Sequence, residues 1–253
     1  MGQGALITGA GDSVGRVIAE KMRARGDRVY ICDIREDAVA ETLAANPGMA
    51  GSVRSIADAA SVAGMFRDVA DKIGPLTTLV NCVGVAGPRA PVDELDDAEW
   101  RKTFDVNVHG ILYTMQHSIP HMKQNGGGAI INFSTSSTRT RLPFRTAYVA
   151  SKFALEGLTL NAARELGVFG IRCNAILPGI IDNDRMRRII EQRAADQGVS
   201  TAELERDYLK YISTRSKVSM AELAETVLFL TSEAVPNITG ELISVSGNLE
   251  WEE

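Results

Sequence analysis

Ala5-Leu6-Ile7-Thr8-Gly9-Ala10-Gly11-Asp12-Ser13-Val14-Gly15 decides how the rest of the chain is read. A short apolar run ends at a glycine-rich turn, and helical periodicity starts at Val14 and runs to Arg25. A turn of this kind, between a strand and a helix, lets backbone N–H groups and the helix N-terminus meet a pyrophosphate. Gly9 suits the tight turn, and Gly15 lets the helix pack closely on the strand. Such turns also occur without ligands. This one stands at the end of a first strand that opens a βαβ unit, which strengthens the reading. Asp33 ends the second apolar run, eighteen residues after Gly15. An acid there accepts hydrogen bonds from the ribose hydroxyls of a dinucleotide and repels a 2′-phosphate. The alternative is a surface acid at a strand end. Arg35 lies two residues on and softens the discrimination, yet the balance favours NAD over NADP.

Outward from this unit the same alternation continues. Apolar runs at Ala5–Thr8, Arg28–Asp33, Thr78–Asn81, Ala129–Phe133, Ile171–Leu177 and Leu242–Val245 show little polar alternation, as expected of parallel strands buried on both faces. A weaker strand is expected near Ala50–Arg54. Helical periodicity fills the gaps at Val14–Arg25, Ala38–Ala45, Ala59–Ile73, Glu99–Lys123, Ala147–Leu166 and Ala221–Leu230. The fold class is therefore α/β: a single-domain, Rossmann-like doubly wound sheet of about seven parallel strands with helices on both faces. Residues 1–253 form one dinucleotide-binding and catalytic domain. The charged, helical stretch 182–219 leaves the carboxyl end of a strand, where ligands bind in open parallel sheets. It is expected to act as a substrate lid, the alternative being a surface excursion or a subunit contact.

Composition narrows the function classes. With 253 residues, 45% hydrophobic and 23% charged, the chain can bury a full core without disulfides or metals. Lys and Arg number 27 against 32 Asp and Glu, a net charge of −5 that opposes a general electrostatic grip on nucleic acid or an anionic bilayer. Cys32, Cys82 and Cys173 each sit alone in an apolar run, which suits reduced thiols in a cytoplasmic setting rather than a disulfide framework or a metal site. No signal peptide is read at the start, and no apolar stretch reaches the roughly 18–20 residues needed to span a membrane. With 3 histidines, all between Leu95 and Met122, a His-centred triad is not expected.

Tyr148 and Lys152 are four apart at the start of a helical pattern and so share a face. A free phenol is protonated at neutral pH, and a neighbouring ammonium favours the phenolate, giving a usable general acid or base. By itself such a pair is common on solvated helix faces. Its context is not. The series Thr8-Gly-Ala-Gly-Asp-Ser-Val-Gly15, Asp33, Asn81-Cys-Val-Gly84, Asn107 within Asp105-Val-Asn-Val-His109, Ser134-Thr135, Tyr148-Val-Ala-Ser-Lys152 and Asn174-Ala-Ile-Leu-Pro-Gly179 resembles the short-chain dehydrogenase/reductase family along essentially the whole chain. The resemblance implies an NAD-dependent oxidoreductase that interconverts a secondary alcohol and a ketone. It makes Tyr148 the catalytic acid/base and Lys152 the residue that holds the nicotinamide ribose and depresses the tyrosine pKa. Asn107 would anchor a water in the proton relay. Gly9, Asp12, Ser13, Val14, Gly15, Asp33, Asn81, Gly84, Pro178, Gly179 and Ile181, with Tyr148 and Lys152, would form the cofactor site. A homotetramer in the cytoplasm and a small-molecule substrate, with no metal, also follow from the family.

The chain departs from the family pattern at several points. The substrate-holding serine, thirteen residues before the tyrosine, is Thr135, flanked by Ser134 and Ser136 as alternatives. The middle glycine of the phosphate turn is Ser13. Asp12 brings a negative charge near an anion, unfavourable unless it caps the helix. Cys82 and Val83 follow Asn81 where Asn and Ala are usual, Ser55 replaces an Asp beside the adenine, and Asn183 replaces a threonine after the Pro-Gly bend. Arg139, Arg141 and Arg145, then Arg185, Arg187 and Arg188, crowd the substrate side. Arginine suits bidentate capture of a carboxylate, and Arg145 resembles the position of a basic carboxylate ligand in relatives such as 3-hydroxybutyrate dehydrogenases. Arg145, Ser137 and Arg185 are thus candidate substrate residues for a hydroxy acid or other anion, the alternative being a solvated basic rim. His117 and His121 at helical spacing lack a third ligand, and Trp100 and Phe104 read as helix packing. Trp251 is expected to bury against a neighbouring subunit. Two other functions fit the pattern: an NADP-dependent carbonyl or ketoacyl reductase, opposed by Asp33, and a dinucleotide-binding protein without turnover. Thr135, Ser13 and Asp12 favour the second of these, while Tyr148, Lys152 and Asn107 oppose it.

Overall fold

The run Ala5-Leu6-Ile7 is fully buried, and its successive side chains enter two different cores. Leu6, Leu79 and Ile130 point to one face of the sheet; Ile7, Val80 and Ile131 point to the other. Strands sandwiched in this way have no wet face, which is why they lack polar alternation. A computed structural model of the chain describes residues 2–250, so Trp251 lies outside the described residues. Seven parallel strands make the sheet: β1 (Gly4–Thr8), β2 (Arg28–Asp33), β3 (Ala50–Val53), β4 (Thr78–Asn81), β5 (Gly128–Phe133), β6 (Ile171–Pro178) and β9 (Leu242–Val245). Their order is β3-β2-β1-β4-β5-β6-β9, with the reversal between β1 and β4. Helices α1 (Ser13–Ala24), α2 (Glu36–Ala45) and α10 (Met220–Leu230) cover one face through Val14, Ile18, Val39, Leu223 and Val227. Helices α3 (Ala59–Ile73), α5 (Gly110–Gln124) and α7 (Thr146–Leu166) cover the other through Val62, Met65, Ile111, Met115 and Leu155. One domain results.

Three features differ from the expectation. The helix expected over Glu99–Lys123 is α4 (Asp97–Phe104) and α5 joined by a π turn at Asp105–His109, in which the Gly110 N–H donates to the Asp105 carbonyl. Single π turns of this kind recur at functional sites, and this one carries Asn107. A four-residue helix, α6 (Ser137–Thr140), follows β5. Finally, the stretch 182–219 is pinned at its base by a two-stranded parallel pair, β7 (Ile181–Asp182) and β8 (Val218–Ser219). Between them α8 (Asp184–Gln197) and α9 (Thr201–Leu209) pack on each other through a small core of Ile190, Ala194 and Leu204. No helix among the described residues is long and apolar enough to cross a membrane.

Candidate active site

A cleft of about 620 Å³ opens beyond the carboxyl ends of the strands, where the order reverses. The turn after β1 forms one wall. Gly9 holds φ +67°, and a Cβ there would come within 3.0 Å of the Val83 nitrogen. A Cβ on Gly15 would lie 2.1 Å from the Gly9 carbonyl oxygen, so only glycine lets α1 begin against the turn. Ser13 carries φ +50°, a left-handed conformation that costs an L-residue about 1–2 kcal/mol. Its hydroxyl accepts from Asn183 Nδ2 at 3.2 Å and donates to Met220 Sδ at 3.7 Å, contacts that tie the turn to the bases of α8 and α10. Asp12 does not cap α1. It pairs instead with Arg35 at 2.6 Å, so its charge is neutralised sideways.

Asp33 ends β2 with both carboxylate oxygens fixed. Oδ2 accepts the Gly11 N–H at 3.0 Å and Oδ1 the Arg35 N–H at 3.1 Å. Asp12, Val14, Ser55, Gly84, Pro178, Gly179 and Ile181 also stand in the cleft wall. Asn81 does not: its amide oxygen accepts from Thr114 and its Nδ2 donates to Asn132 Oδ1, both groups being fully buried. The family's expected channel residue thus serves the packing of β4 on β5 and α5. Parallel strands bury their side chains on both faces, and the sequence held no sign of the buried amide pair.

The chemistry converges on α7 and the end of β5. Thr135, Tyr148 and Lys152 line the same end of the cleft. The Thr135 hydroxyl lies near enough to the Tyr148 phenol to lower its pKa; it donates to the Ser137 hydroxyl at 3.2 Å and accepts the Ser137 N–H at 3.2 Å. Ser134 is turned away, donating to the buried Glu156 carboxylate at 2.7 Å, and Thr138 donates to the same oxygen at 2.7 Å. Glu156, which the sequence reading missed, fastens both flanks of Thr135. Ser136 is buried. The Lys152 ammonium donates to the Phe133 carbonyl at 2.6 Å. A Cβ on Gly84 would lie 3.2 Å from Lys152 Nζ and 3.6 Å from Asn107 Oδ1, so both groups flank this glycine. Asn107 clamps Val85 from both sides, accepting its N–H at 2.8 Å and donating to its carbonyl at 2.9 Å, and donates to Ser151 at 3.0 Å.

The electrostatics correct one expectation. Burial pushes the Tyr148 phenol above its ordinary value; the nearby Thr135 hydroxyl and the charges of Arg185 and Arg145 pull it back. Lys152 is not the dominant neighbour. Its own pKa is pushed down to about 8 by burial, with Cys82 and Glu156 opposing the shift. Arg185 lines the cleft and Arg145, just outside its wall, donates to the Gly87 carbonyl at 3.1 Å, while Ser137 sits behind Thr135. His117 and His121 pack on Phe66, at 5.3 and 6.2 Å between ring centroids, and Trp100 packs on Phe104 at 4.8 Å.

A family model described as enoyl-(acyl carrier protein) reductase matches residues 9–249. The chain belongs to the short-chain dehydrogenase/reductase family. It is 31% identical over 250 residues to the cis-4-hydroxycyclohexanecarboxylate dehydrogenase of Sinomonas cyclohexanicum, covering 96% of this chain and 94% of that protein. It is equally 31% identical over 250 residues to the 7alpha-hydroxysteroid dehydrogenase of Escherichia coli K12, covering 97% and 93%. An actinorhodin polyketide ketoreductase variant solved with NADPH superposes with a TM-score of 0.92 at 26% identity, covering 98% of this chain and 97% of that one. The short-chain dehydrogenases are oxidoreductases that bind a nicotinamide dinucleotide, and this chain is one of them. The residues present fit that group: a turn with room only for glycine at Gly9 and Gly15, an oriented carboxylate at Asp33, and Gly84 open beside Lys152.

Proposed function

We propose that the protein is an NAD-dependent dehydrogenase that interconverts a secondary alcohol and a ketone, with a hydroxy acid as the substrate class. The observation that carries the reading is the meeting of Thr135, Tyr148 and Lys152 at one end of the cleft. Thr135 Oγ1 holds the substrate oxygen beside the phenol. Tyr148 removes the hydroxyl proton in the oxidative direction and returns it in the reductive one. Lys152, with a pKa of about 8, exchanges protons near neutrality and passes them along the Gly84 edge toward Asn107. When bound, the nicotinamide accepts or supplies the hydride.

Asp33 supports NAD over NADP. A carboxylate fixed by two N–H groups meets a ribose hydroxyl with acceptors and a 2′-phosphate with repulsion. Arg35 is paired with Asp12, so a 2′-phosphate would meet that acid as well as the guanidinium. A homotetramer and cytoplasmic residence belong to the same reading. Phe153 and Leu160 on α7, 44% and 43% exposed, suit a subunit contact.

The test is reduced-nicotinamide absorbance with NAD or NADP against hydroxy acids, sugar alcohols, aryl alcohols and dihydrodiols. Turnover with NAD on a secondary alcohol is expected. In a variant combining Asp33→Ala with Ile34→Arg, the NADP-to-NAD ratio of kcat/KM should rise by roughly tenfold or more, the worth of one charged contact. An unaltered ratio would remove Asp33 from the ribose site.

A further inference from the structure

Asp33 ends β2, and one more strand lies beyond it, since β3 is the edge of the sheet. Asp33 and Val53 are partners across the β2–β3 pair, and the Arg54 N–H donates to the Asp33 carbonyl at 2.8 Å. Arg54, Ser55, Ile56 and Ala57 then leave the carboxyl end of β3 as cleft wall, beside Asp33 and Ile34. Thr135 and Tyr148 follow β5, on the other side of β1. A dinucleotide with its reactive ring at Tyr148 and a ribose at Asp33 therefore sends its base toward residues 54–57. Ile34, apolar yet 70% exposed, offers that base a face to lie on.

The polar side chains at this end are mostly committed. The carboxylates in the wall are Asp12 and Asp33. Asp12 is paired with Arg35 at 2.6 Å, and Asp33 accepts the Gly11 and Arg35 N–H groups where it faces the ribose. The Arg54 guanidinium is held by Asp68 of α3 at 2.9 Å. Ser55 is different. Its hydroxyl accepts the Ala57 N–H at 3.2 Å, which fixes the oxygen and leaves its proton and a second lone pair open. Adenine presents a 6-amino donor beside the N1 acceptor; a 6-oxopurine presents a carbonyl acceptor beside an N1–H donor. A hydroxyl with one donor and one acceptor position left meets either order by turning about its C–O bond, whereas a carboxylate only accepts. We propose, on the reading that this cleft holds NAD, that Ser55 makes its base end indifferent to the purine 6-substituent. The protein then takes a dinucleotide carrying a 6-oxopurine as well as it takes NAD. Strong discrimination requires that the wrong group leave a buried partner unpaired. Ser55 is exposed and leaves none.

The experiment titrates the full-length protein with NAD and with deamino-NAD, in which hypoxanthine replaces adenine, and reads binding by calorimetry. No turnover is needed. The two dissociation constants should agree to within about threefold, less than the loss of one hydrogen bond would produce. A larger preference for NAD would overturn the role of Ser55. In Ser55→Asp the ratio should move toward NAD by roughly tenfold, because a carboxylate accepts from the amino group and repels the 6-carbonyl. An unchanged ratio, in a variant that still binds NAD and unfolds at the same urea concentration, would show that position 55 does not meet the base and would equally overturn it. Should the variant bind neither dinucleotide, the ratio in the unaltered protein decides alone. Matched affinities in a protein that oxidises nothing would sustain the role of Ser55 and sink the dehydrogenase. Alcohol oxidation joined to a strong preference for NAD would do the reverse, and an unaltered protein that binds neither dinucleotide would overturn both.

Discussion

Tyr148 and Lys152 could be paired from their spacing alone, but the field around them could not. Helical periodicity places two side chains on one face, while a pKa depends on what else is packed there. The structure half-buries Tyr148 in the cleft wall with two arginines acting on it, and it points the Lys152 ammonium at the Phe133 carbonyl. The choice among Ser134, Thr135 and Ser136 was likewise open in the sequence. Glu156 narrows it, because Ser134 and Thr138 both donate to its carboxylate and leave Thr135 facing the phenol. If Thr135 holds the substrate oxygen, Thr135→Ala should lower kcat by roughly a hundredfold, the scale of losing one oxygen-holding donor. Thr135→Ser should keep most of the activity, since the methyl group makes no part of the argument. Steady-state kinetics on both variants check this, and equal losses in the two would point to packing rather than to the hydroxyl.

Among the elements, the strands were the most legible, because burial on both faces removes the polar residues that blur a pattern. The single helix expected over Glu99–Lys123 was right in direction and wrong in detail. The extra residue of a π turn leaves no mark in hydrophobic spacing, yet it is what turns Asn107 to clamp Val85. The small parallel pair β7–β8 was invisible for a different reason. Two residues are too few to show any period. Glu156 belongs at this scale also, because it joins α7 to α6 and the end of β5. Glu156→Leu would strand two buried hydroxyls at roughly 1–3 kcal/mol each. The urea midpoint should fall accordingly, and activity should drop more than stability accounts for as Thr135 loses its support. A variant of unchanged stability would show that the two hydroxyls find other partners.

For the whole molecule, the order of the sheet brings residues from well-separated stretches of chain to one end, as the motif series implied. What the series did not reveal was the pairing of Arg187 with Asp184 and of Lys217 with Glu205 in the excursion, since ion pairing depends on how α8 and α9 pack. The buried cation also ties the site to the stability of the entire fold. Lys152 titrates at about 8 when folded, against its ordinary value of 10.5. Between those values the unfolded chain binds more protons than the folded one, so stability rises with pH across that window. Lys152→Met should flatten this rise, which urea titrations at pH 8 and pH 10 would detect; an unchanged slope would mean that other groups carry it. The central claim is that the Tyr148 phenol moves the proton. It is tested most directly by kcat/KM for oxidation of the best alcohol across neutral to alkaline pH, in the unaltered protein and in Tyr148→Phe, with NAD affinity measured alongside. The account predicts a rate that rises with pH as the half-buried phenol ionises. It also predicts a loss of roughly a hundredfold or more in Tyr148→Phe with NAD binding retained. A Tyr148→Phe protein that keeps both the rate and its pH dependence would contradict it.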